Sequence, residues 1–528
     1  MPRIPALVSG LAPLAALLLL LAPHAEAGHL YVDPVNGSDA NAGTSPGTAF
    51  KHIRKALQVA NPGGDKIHLA PGEYSAASGE LFPLSLGEGD LVGDAGSEVT
   101  LIKGAANELL FAATNPSPGG ANLLELTGLS LIGGRTGLRV DNPAGIYQVW
   151  VQDVAIAGMS QDGIEAHAIP TGAAGSQVNL LVFRTTITGC LRAVTFQTSS
   201  PTLKSVLAIQ SSRLQSNAVG LNAESSGDLL TTVISSRIED NTLNGLRAFA
   251  NGGKAQLEVE GSLVARNVVG VEAGGLGGGT TLLGVRACTV ARNGVGVSTV
   301  GFPDPPASTV LEGSIVWENA DDLALDGPVS AELNDVSDGD FAGGNGNLAV
   351  DPLFRDADAG DFRLSWGSPV VEVVTTRIPF ELVGNQRPCD GNLDVAQVAD
   401  MGCLEFTPLD MVQPELTVLT GGFPSIGPGE TLRLEAWGPP GSVALLLVSP
   451  AKAVAISTGF GVFFLDPSFF FVLAALPAGP TRPGVLQVVI PNVAALNGLA
   501  PDFQALTTSA LAPKGKALSN PALCQIEF

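Results

Sequence analysis

The sequence is poor in basic and aromatic residues. Its 27 Lys and Arg are outnumbered by 50 Asp and Glu, which gives a formal net charge of −23, and it contains only 4 Trp and 3 Tyr. A nucleic-acid-binding surface needs clustered positive charge, so this composition argues against DNA or RNA as a partner. The same charge disfavours anionic membranes and free polyanionic polysaccharides, unless Ca²⁺ or a local row of arginines reverses the sign. Neutral glycans remain compatible with it.

The chain also lacks an uninterrupted apolar run long enough for a confident membrane span. Residues 11–22 are apolar, follow Arg3 and precede Ala25-Glu26-Ala27, which is typical of a secretory signal cleaved after Ala27. A second apolar stretch, 454–476, is interrupted by Asp466-Pro467-Ser468, so we expect two buried strands joined by a turn. The sequence therefore predicts a secreted or cell-surface protein, monomeric and without a transmembrane segment after cleavage.

Cysteine is scarce as well. Five cysteines in an exported chain leave at least one unpaired if the others form bridges. Cys389 and Cys403 are the favoured pair, since they lie 14 residues apart in a loop rich in Gly and Asp. Cys288 sits inside a predicted strand, where a small buried thiol is expected. Cys190 falls on the repeat register described next, and Cys524 is either free or intermolecular.

What the sequence does contain is a repeat. Eight positions recur at steps of 26, 30, 27, 24, 26, 26 and 26 residues: Gly134, Ser160, Cys190, Asn217, Asn241, Asn267, Asn293 and Asn319. A period in the twenties indicates a solenoid, in which each repeat buries its apolar face by stacking on its neighbours. Each repeat has short alternating strands and no helical stretch, unlike a leucine-rich repeat. The pattern predicts a parallel β-helix, and parallel crossovers favour a right-handed coil.

Stacking gives the asparagine row a structural explanation. Equivalent residues of successive coils lie above one another, and an Asn side chain can bond to the same amide one coil away. Asn also tolerates left-handed turn geometry. We therefore interpret Asn217, Asn241, Asn267, Asn293 and Asn319 as a structural ladder, with a ligand-binding row as the alternative.

The two ends of the repeat region carry the most specific sequence. Ala49 to Ala60 is predicted to be a short amphipathic helix that caps the open end of the coil, and Lys66 to Ala70 the first strand. The segment 30–74 resembles the N-terminal cap of the pectate-lyase-like right-handed β-helix superfamily, specifically the DUF1565 family of secreted proteins. The matching residues are Tyr31-Val32-Asp33, Asn36-Gly37-Ser38-Asp39, Gly43-Thr44, Pro46, Phe50, Ile53, Ala56-Leu57, Gly64-Asp65 and Leu69 to Tyr74.

The closing segment looks like that of the same secreted β-helix proteins. It reads DVSDGDFAGGNGNLAVDPLF from Asp335 to Phe354. The resemblance implies an all-β fold over 28–406, a right-handed parallel β-helix with its N-terminal capping helix. From about Met411 the Asn period is gone, and alternating or apolar segments between Gly- and Pro-rich turns predict a C-terminal β-sandwich-like domain over 407–528.

Candidate catalytic residues are few. The resemblance implies two templates: Ca²⁺-binding carboxylates with an Arg or Lys base, as in lyases, or clustered Asp residues acting as acid and base, as in inverting hydrolases. The complete motif set of neither is present. The nearest group is Asp162, Glu165 and His167, with Asp153 earlier in the same repeat, and in a strand Glu165 and His167 would share a face. The alternative makes Asp162-Gly163 a coil turn and His167 an ordinary surface residue.

Two acidic segments suggest Ca²⁺. Asp390, Asn392 and Asp394 alternate like the start of an EF-hand loop, with Asp400 downstream, although Val395 and Met401 stand where that loop needs Gly and Glu. The alternative is a solvated loop stapled by a disulfide. Asp33, Asn36, Asp39 and Asn41 form the second candidate, and they could equally be turn formers.

The sequence as a whole predicts a non-catalytic extracellular protein that binds a polysaccharide or cell-surface glycan, with Ca²⁺ as the only cofactor suggested. Two rival hypotheses are a carbohydrate-active enzyme working near Asp162 and a purely structural envelope component. Trp150, Trp317 and Trp366 fit either sugar-stacking platforms or core residues.

Overall fold

The structure is a computed structural model that describes residues 28–61, 65–87, 89–115, 121–171, 175–200, 202–301, 307–374, 382, 387–394, 396–412 and, beyond these, the C-terminal strands with short flanking segments. The predicted signal segment, the turn at Asp466-Pro467-Ser468 and Cys524 lie outside the described residues. Strands are numbered in chain order.

Three parallel sheets run along a solenoid, and each receives one strand from successive coils. Sheet A has 12 strands in the described residues: β1 (His29–Val32), β2 (Lys66–Leu69), β5 (Gly89–Gly93), β8 (Ala121–Thr127), β11 (Gly145–Gln152), β14 (Ser176–Phe183), β17 (Lys204–Gln210), β20 (Asp228–Ile234), β23 (Lys254–Glu260), β26 (Thr280–Arg286), β29 (Ser308–Glu312) and β32 (Val329–Glu332).

The other two sheets complete the coil. Sheet B consists of β3 (Gly72–Ser75), β6 (Thr100–Lys103), β9 (Ser130–Ile132), β12 (Ala155–Ala157), β15 (Thr186–Thr188), β18 (Arg213–Gln215), β21 (Arg237–Glu239), β24 (Leu263–Ala265), β27 (Thr289–Ala291), β30 (Ile315–Trp317) and β33 (Asp335–Val336). Sheet C consists of β4 (Leu84–Leu86), β7 (Leu109–Thr114), β10 (Thr136–Asn142), β13 (Asp162–Ala168), β16 (Arg192–Thr198), β19 (Val219–Ser225), β22 (Asn244–Asn251), β25 (Val269–Leu276), β28 (Val295–Gly301) and β31 (Asp321–Ala324).

Alternation along each strand separates the core from the surface. In β13, for example, Ile164, Ala166 and Ala168 are fully buried while Glu165 and His167 point outward. Because the strands pair in parallel and in register, side chains of one type form rows about 4.8 Å apart along the solenoid. The apolar rows of the three sheets meet in one continuous core. The parallel β-helix prediction is confirmed.

A short helix covers the N-terminal end of the coil. Helix α1 (Ile53–Val59) buries Ile53 and Ala56 completely against the core. The predicted span of Ala49 to Ala60 was too long at both ends. The helix begins later than predicted because Lys51 and His52 donate their backbone N–H groups to the Asp39 carboxylate. At seven residues α1 is too short to cross a bilayer, and the described part of the chain has no membrane-spanning helix.

The asparagine row lies at the turn between sheets B and C. The Oδ1 atom of Asn267 accepts both the backbone N–H and the side-chain Nδ2 of Asn241, at 3.1 and 2.9 Å, and the same pair of bonds links Asn267 to Asn293. Asp322 ends the row by accepting the corresponding bonds from Asn319. The left-handed residue, however, is the one before each Asn: Ser216, Asp240, Arg266, Arg292 and Glu318 all have φ between 53° and 57°. The asparagine stabilises the turn with its amide, not with its own φ.

A second ladder runs along the turn between sheets A and B. Thr185 N–H bonds to Ser212 Oγ, Ser212 N–H to Ser236 Oγ and Ser236 N–H to Ser262 Oγ, at 3.1 to 3.2 Å. Cys288 takes the next place in this row, and its N–H donates to Ser314 Oγ. Its thiol is fully buried, as the sequence predicted, and it occupies a serine position of the ladder.

Small antiparallel sheets follow the solenoid. A hairpin of β34 (Phe354–Asp356) and β35 (Asp361–Leu364) comes first, and the later strands are β36 (Leu409–Val412), β37 (Ser425–Ile426), β38 (Thr431–Ala436), β39 (Ser442–Ser449), β40 (Lys452–Thr458), β41 (Gly461–Leu465), β42 (Phe471–Ala478), β43 (Gly484–Val489), β44 (Asp502–Thr508), β45 (Lys516–Leu518), β46 (Ala522–Leu523) and β47 (Gln525–Ile526).

The C-terminal strands share an apolar cluster of their own. Leu434 of β38, Leu446 of β39 and Phe503 of β44 belong to it, so two of the small sheets contribute to one apolar cluster. The stretch 454–476 contains parts of three strands, β40, β41 and β42, so the prediction of two was wrong. β40 and β41 are separate strands that pair in antiparallel orientation.

Candidate functional site

The outer face of sheet C carries two rows of polar side chains. We call it the sheet C face and define it by Arg139, Glu165, Thr195, Asn222, Arg247 and Glu272 in one row and Asp141, His167, Gln197, Glu224 and Phe249 in the other. Register pairing places the members of a row on successive coils. Except for Thr195, which is buried, these side chains are partly exposed. The face therefore presents donors, acceptors and one aromatic ring over six adjacent strands.

An imidazole held between two carboxylates lies at one end of this face. His167 Nδ1 is 2.9 Å from Asp141 Oδ1, and His167 Nε2 is 3.4 Å from Glu165 Oε1. Arg139 bonds to the other oxygen of Asp141 through its Nε, at 2.9 Å. The hydrogen bond from His167, together with Arg139, lowers the pKa of Asp141. This carboxylate therefore stays ionised at neutral pH.

A second network continues along the face. The Arg247 guanidinium lies 4.2 Å from the centroid of the Phe249 ring and donates to Asn222 Oδ1 at 2.8 Å. It also bonds to Glu272 Oε2 at 3.2 Å. Asn222 in turn donates to Glu224 at 3.2 Å. These bonds link three adjacent coils and hold the side chains in fixed orientations.

The four predicted catalytic residues do not meet at one point. Glu165 and His167 share the sheet C face. Asp162 begins the same strand but is buried, with Arg192 Nε at 2.6 Å and Thr195 Oγ1 at 2.5 Å. Asp153 lies at the turn between sheets A and B and forms an ion pair with Arg184 at 2.5 Å.

Asp141 and Arg139 complete the group around His167, and the sequence pattern did not reveal them. They lie 26 residues before His167 and Glu165 and become neighbours only through the register of β10 and β13. Arg213, a basic residue of a later coil, belongs to sheet B, in register with Thr186 and Arg237.

The acidic loop after the solenoid brings part of the predicted Ca²⁺ set together. Carboxylate oxygens of Glu372, Asp390 and Asp394 lie within 4.8 Å of one another. Asn392 donates its side-chain amide to Glu372 at 2.6 Å and to Asp394 at 3.3 Å. Burial, with Asp394 and Asp390 nearby, raises the pKa of Glu372 to about 7. Glu372 was not identified from the sequence because it lies 18 residues before Asp390.

Asp400 has a different role from the rest of the predicted set. Its Oδ1 accepts the backbone N–H of Glu372 at 2.8 Å, and its Oδ2 accepts that of Phe406. It is buried beside Glu405 and Arg387, and this burial and the Glu405 charge raise its pKa. Asp400 therefore stabilises the loop backbone through these two hydrogen bonds.

The second Ca²⁺ candidate is built of turn contacts. Asp33 accepts the N–H groups of Val35 and Asn36, both at 2.8 Å. Asp39 accepts from Lys51 and bonds to His52 Nδ1 at 2.7 Å. The side chains named in the sequence stabilise the cap loop in this structure.

The structure describes Cys389 and Cys403 without the predicted disulfide between them, and this pairing stays a prediction. Cys403 packs in an apolar cluster with Leu263, Ala265 and Ala291 of sheet B, and its N–H donates to Thr289 Oγ1 at 3.2 Å. Cys389 is also buried.

The tryptophans divide between surface and core. Trp150 points outward from sheet A and is partly exposed, whereas Trp317 and Trp366 pack against the apolar cluster that follows the solenoid. Trp366 meets Phe406 edge to face at 5.8 Å. Only Trp150 is placed as a surface ring among these three.

The stacked coils and the polar lateral face define a parallel β-helix protein with an ordered outer surface. Residues 35–304 match the family described as Protein of unknown function (DUF1565), and the chain belongs to this family. The match extends well beyond the cap segment that first suggested it. No curated protein matches the chain at a significant level.

Several solved β-helix structures resemble it in fold. Pectate lyase Pel9A aligns at 14% identity over 72% of this chain and 97% of its own, with a TM-score of 0.46. The A-module of mannuronan C-5 epimerase AlgE6 from Azotobacter vinelandii aligns at 17% identity over 57% and 96%, with a TM-score of 0.33. The GH136 lacto-N-biosidase from Eubacterium ramulus aligns at 10% identity over 62% and 69%, with a TM-score of 0.36.

Proposed function

We propose that the protein is a secreted or cell-surface, non-catalytic glycan-binding protein, and that it binds a neutral polysaccharide along the sheet C face. The observation that carries this proposal is the pair of polar rows, which runs over six strands and is held by its own hydrogen bonds. A polysaccharide is a repeating chain, and a solenoid face offers it a repeating set of partners.

The chemistry of the face suits sugar hydroxyl groups. A hydroxyl donates to carboxylates such as Glu224 and accepts from guanidinium groups such as Arg247, and bonds to charged partners are the stronger ones. The Phe249 ring adds an apolar surface for the C–H groups of a sugar. Because Arg247 is already fixed by Asn222 and Glu272, little conformational entropy is lost when a ligand binds.

Charge favours a neutral ligand over an acidic one. The face carries four carboxylates and two arginines, and the whole chain has a net charge of −23. A polyuronic acid would meet Asp141, Glu165, Glu224 and Glu272 at close range and would be repelled at low ionic strength. A neutral polysaccharide can bond to the same groups without this electrostatic repulsion.

The protonation states support binding rather than cleavage. A glycosidase needs one carboxyl group with a raised pKa to protonate the leaving oxygen. The pKa of Asp141 is lowered by His167 and Arg139, and Asp162 is buried against Arg192. Asp141 is therefore not prepared to donate a proton at neutral pH.

We expect Phe249→Ala to weaken binding of a neutral polysaccharide about tenfold, since an aromatic contact contributes about 0.5 to 1.5 kcal/mol beyond the area that it buries. Affinity electrophoresis in gels containing neutral glucans, mannans or xylans measures this. Phe183→Ala is the matched control, because Phe183 also stacks with a neighbouring arginine, Arg184 at 4.3 Å, but on the outer face of sheet A. Equal losses in both variants would contradict the assignment to sheet C.

The grouping of His167 with Asp141 and Glu165 favours one second candidate, a carbohydrate-active enzyme. Incubation with neutral and acidic polysaccharides, with Ca²⁺ or with chelator, distinguishes the two. Ultraviolet absorbance from unsaturated products would establish a lyase, and new reducing ends alone would establish a hydrolase. The binding proposal predicts neither signal.

Ca²⁺ at the acidic loop stays a prediction, now centred on Glu372, Asp390 and Asp394. We expect Ca²⁺ at 100 times its dissociation constant to add about 2.7 kcal/mol to the free energy of unfolding, and chelator to remove it. The double variant Asp390→Asn/Asp394→Asn should lose this response, while Asp228→Asn on sheet A should keep it. An unchanged unfolding midpoint of the wild-type protein with Ca²⁺ would exclude the site.

A further inference from the structure

We propose that His29 and His68 form a binding site for one divalent transition-metal ion, with Cu²⁺ the preferred ion, at the N-terminal end of sheet A. This site lies on a different sheet from the glycan-binding face and does not depend on it. It uses two of the four histidines that the structure describes.

The register of the first two strands brings the imidazoles together. Tyr31 pairs with His68 across β1 and β2, so His29 lies diagonally across from His68 on the same outer face. His29 Nδ1 and His68 Nε2 are 2.9 Å apart. The ring centroids are 5.1 Å apart at an interplanar angle of 28°, so the two nitrogens face each other directly.

A carboxylate fixes the tautomer of His68. Its Nδ1 lies 2.7 Å from Asp94 Oδ1, and Asp94 cannot donate when ionised, so Nδ1 carries the proton. The lone pair of Nε2 therefore points at His29. Tyr31 stacks on the His68 ring at 4.8 Å and 14°, which fixes the plane of the ring. A carboxylate behind a histidine is the usual outer shell of a metal-bound imidazole.

Either a proton or a metal ion can join the two nitrogens. Without a metal, His29 donates its Nδ1 proton to His68. A metal ion replaces that proton, and because Cu²⁺ prefers square-planar geometry, two neighbouring metal–nitrogen bonds of about 2.0 Å place the nitrogens about 2.8 Å apart. The rings then need to turn until both lone pairs point at the ion. His29 is exposed and lies on the edge strand of sheet A, so its ring has room for this movement.

The local charge also suits a cation. Lys66 lies between His29 and Asp90 in register, and Asp94 begins the turn after β5. The negative charges of Asp90 and Asp94 therefore exceed the single positive charge of Lys66 beside the imidazoles. Among divalent ions, imidazole sites bind Cu²⁺ more tightly than Ni²⁺ or Zn²⁺, and water would complete the coordination.

The test is isothermal titration of the full secreted chain, carrying a tag without histidine, with Cu²⁺, Ni²⁺ and Zn²⁺. We expect one site per chain, weakened about 100-fold by His29→Ala or His68→Ala and about tenfold by Asp94→Asn. His52→Ala is the matched control, because it also removes an imidazole paired with an aspartate, and it should leave the site intact. Electron paramagnetic resonance of the Cu²⁺ complex should show two equivalent nitrogen ligands.

Two results would overturn the proposal. One is a wild-type affinity no tighter than that of the His29→Ala/His68→Ala double variant, with unchanged circular dichroism in both. The other is an N–H···N coupling in the nuclear magnetic resonance spectrum that added metal does not abolish, which would show that the two rings share a proton only.

Discussion

Replacing Asn267 by alanine will lower the free energy of unfolding by about 4 kcal/mol. The Asn267 side chain accepts two bonds from Asn241 and donates to the carbonyl groups of Ile238 and Ala265 and to Asn293. All of these groups are buried, so alanine leaves several of them without partners, and each unsatisfied group costs about 1 to 3 kcal/mol. Urea unfolding followed by circular dichroism measures the loss.

The control for this prediction is Asn222→Ala. Asn222 is also an asparagine in the solenoid with two side-chain hydrogen bonds, but it is only partly buried on the sheet C face, where water replaces the lost bonds. We expect a loss below about 1 kcal/mol. Similar losses for Asn222 and Asn267 would mean that the buried ladder has no special contribution to stability.

Replacing Arg387 by methionine will cost about 4 kcal/mol at pH 7.5. The Arg387 and Glu405 side chains are fully buried with Nε and Oε1 2.8 Å apart, and Arg387 Nη1 also donates to the Gly402 carbonyl at 2.8 Å. Asp400 lies in the same pocket. Methionine fills the space but leaves two buried carboxylates without their cation.

The pH dependence of this loss has a defined sign. Burial raises the pKa of both Asp400 and Glu405, so their ionisation destabilises the folded chain as the pH rises, and removing Arg387 extends this effect. At pH 3, below the ordinary carboxyl pKa values of 3.8 and 4.5, both groups are largely protonated in the folded and unfolded states, and the difference from wild type should shrink. Arg433→Met, which breaks a more exposed pair with Glu435, is the control and should cost less than about 1 kcal/mol at either pH.

The fold could be predicted because the same sequence pattern recurs in successive coils of a solenoid. Five asparagines at steps of 24 to 26 residues indicate the length of one coil, and the cap sequence indicates the family. The alternation of β13 was also sufficient to place Glu165 and His167 on one face. These features depend on short-range patterns, which a single sequence displays.

The rest of the site depends on contacts between coils. Asp141 and Arg139 join His167 only because β10 and β13 pair in one register, and a register shift of one residue would turn them into the core. Asp153 was grouped wrongly for the same reason, since it follows its strand at a turn instead of lying in sheet C. Glu372 reaches Asp390 through a loop whose path no local pattern describes.

Hydroxyl-radical footprinting with and without a saturating neutral polysaccharide tests the central claim most directly. The account predicts protection of Phe249 and His167 on the sheet C face, with Phe183 and Trp150 on sheet A reacting as before. Protection of the sheet A side chains alone, or no protection by any polysaccharide of the panel, would contradict a glycan-binding role for the sheet C face.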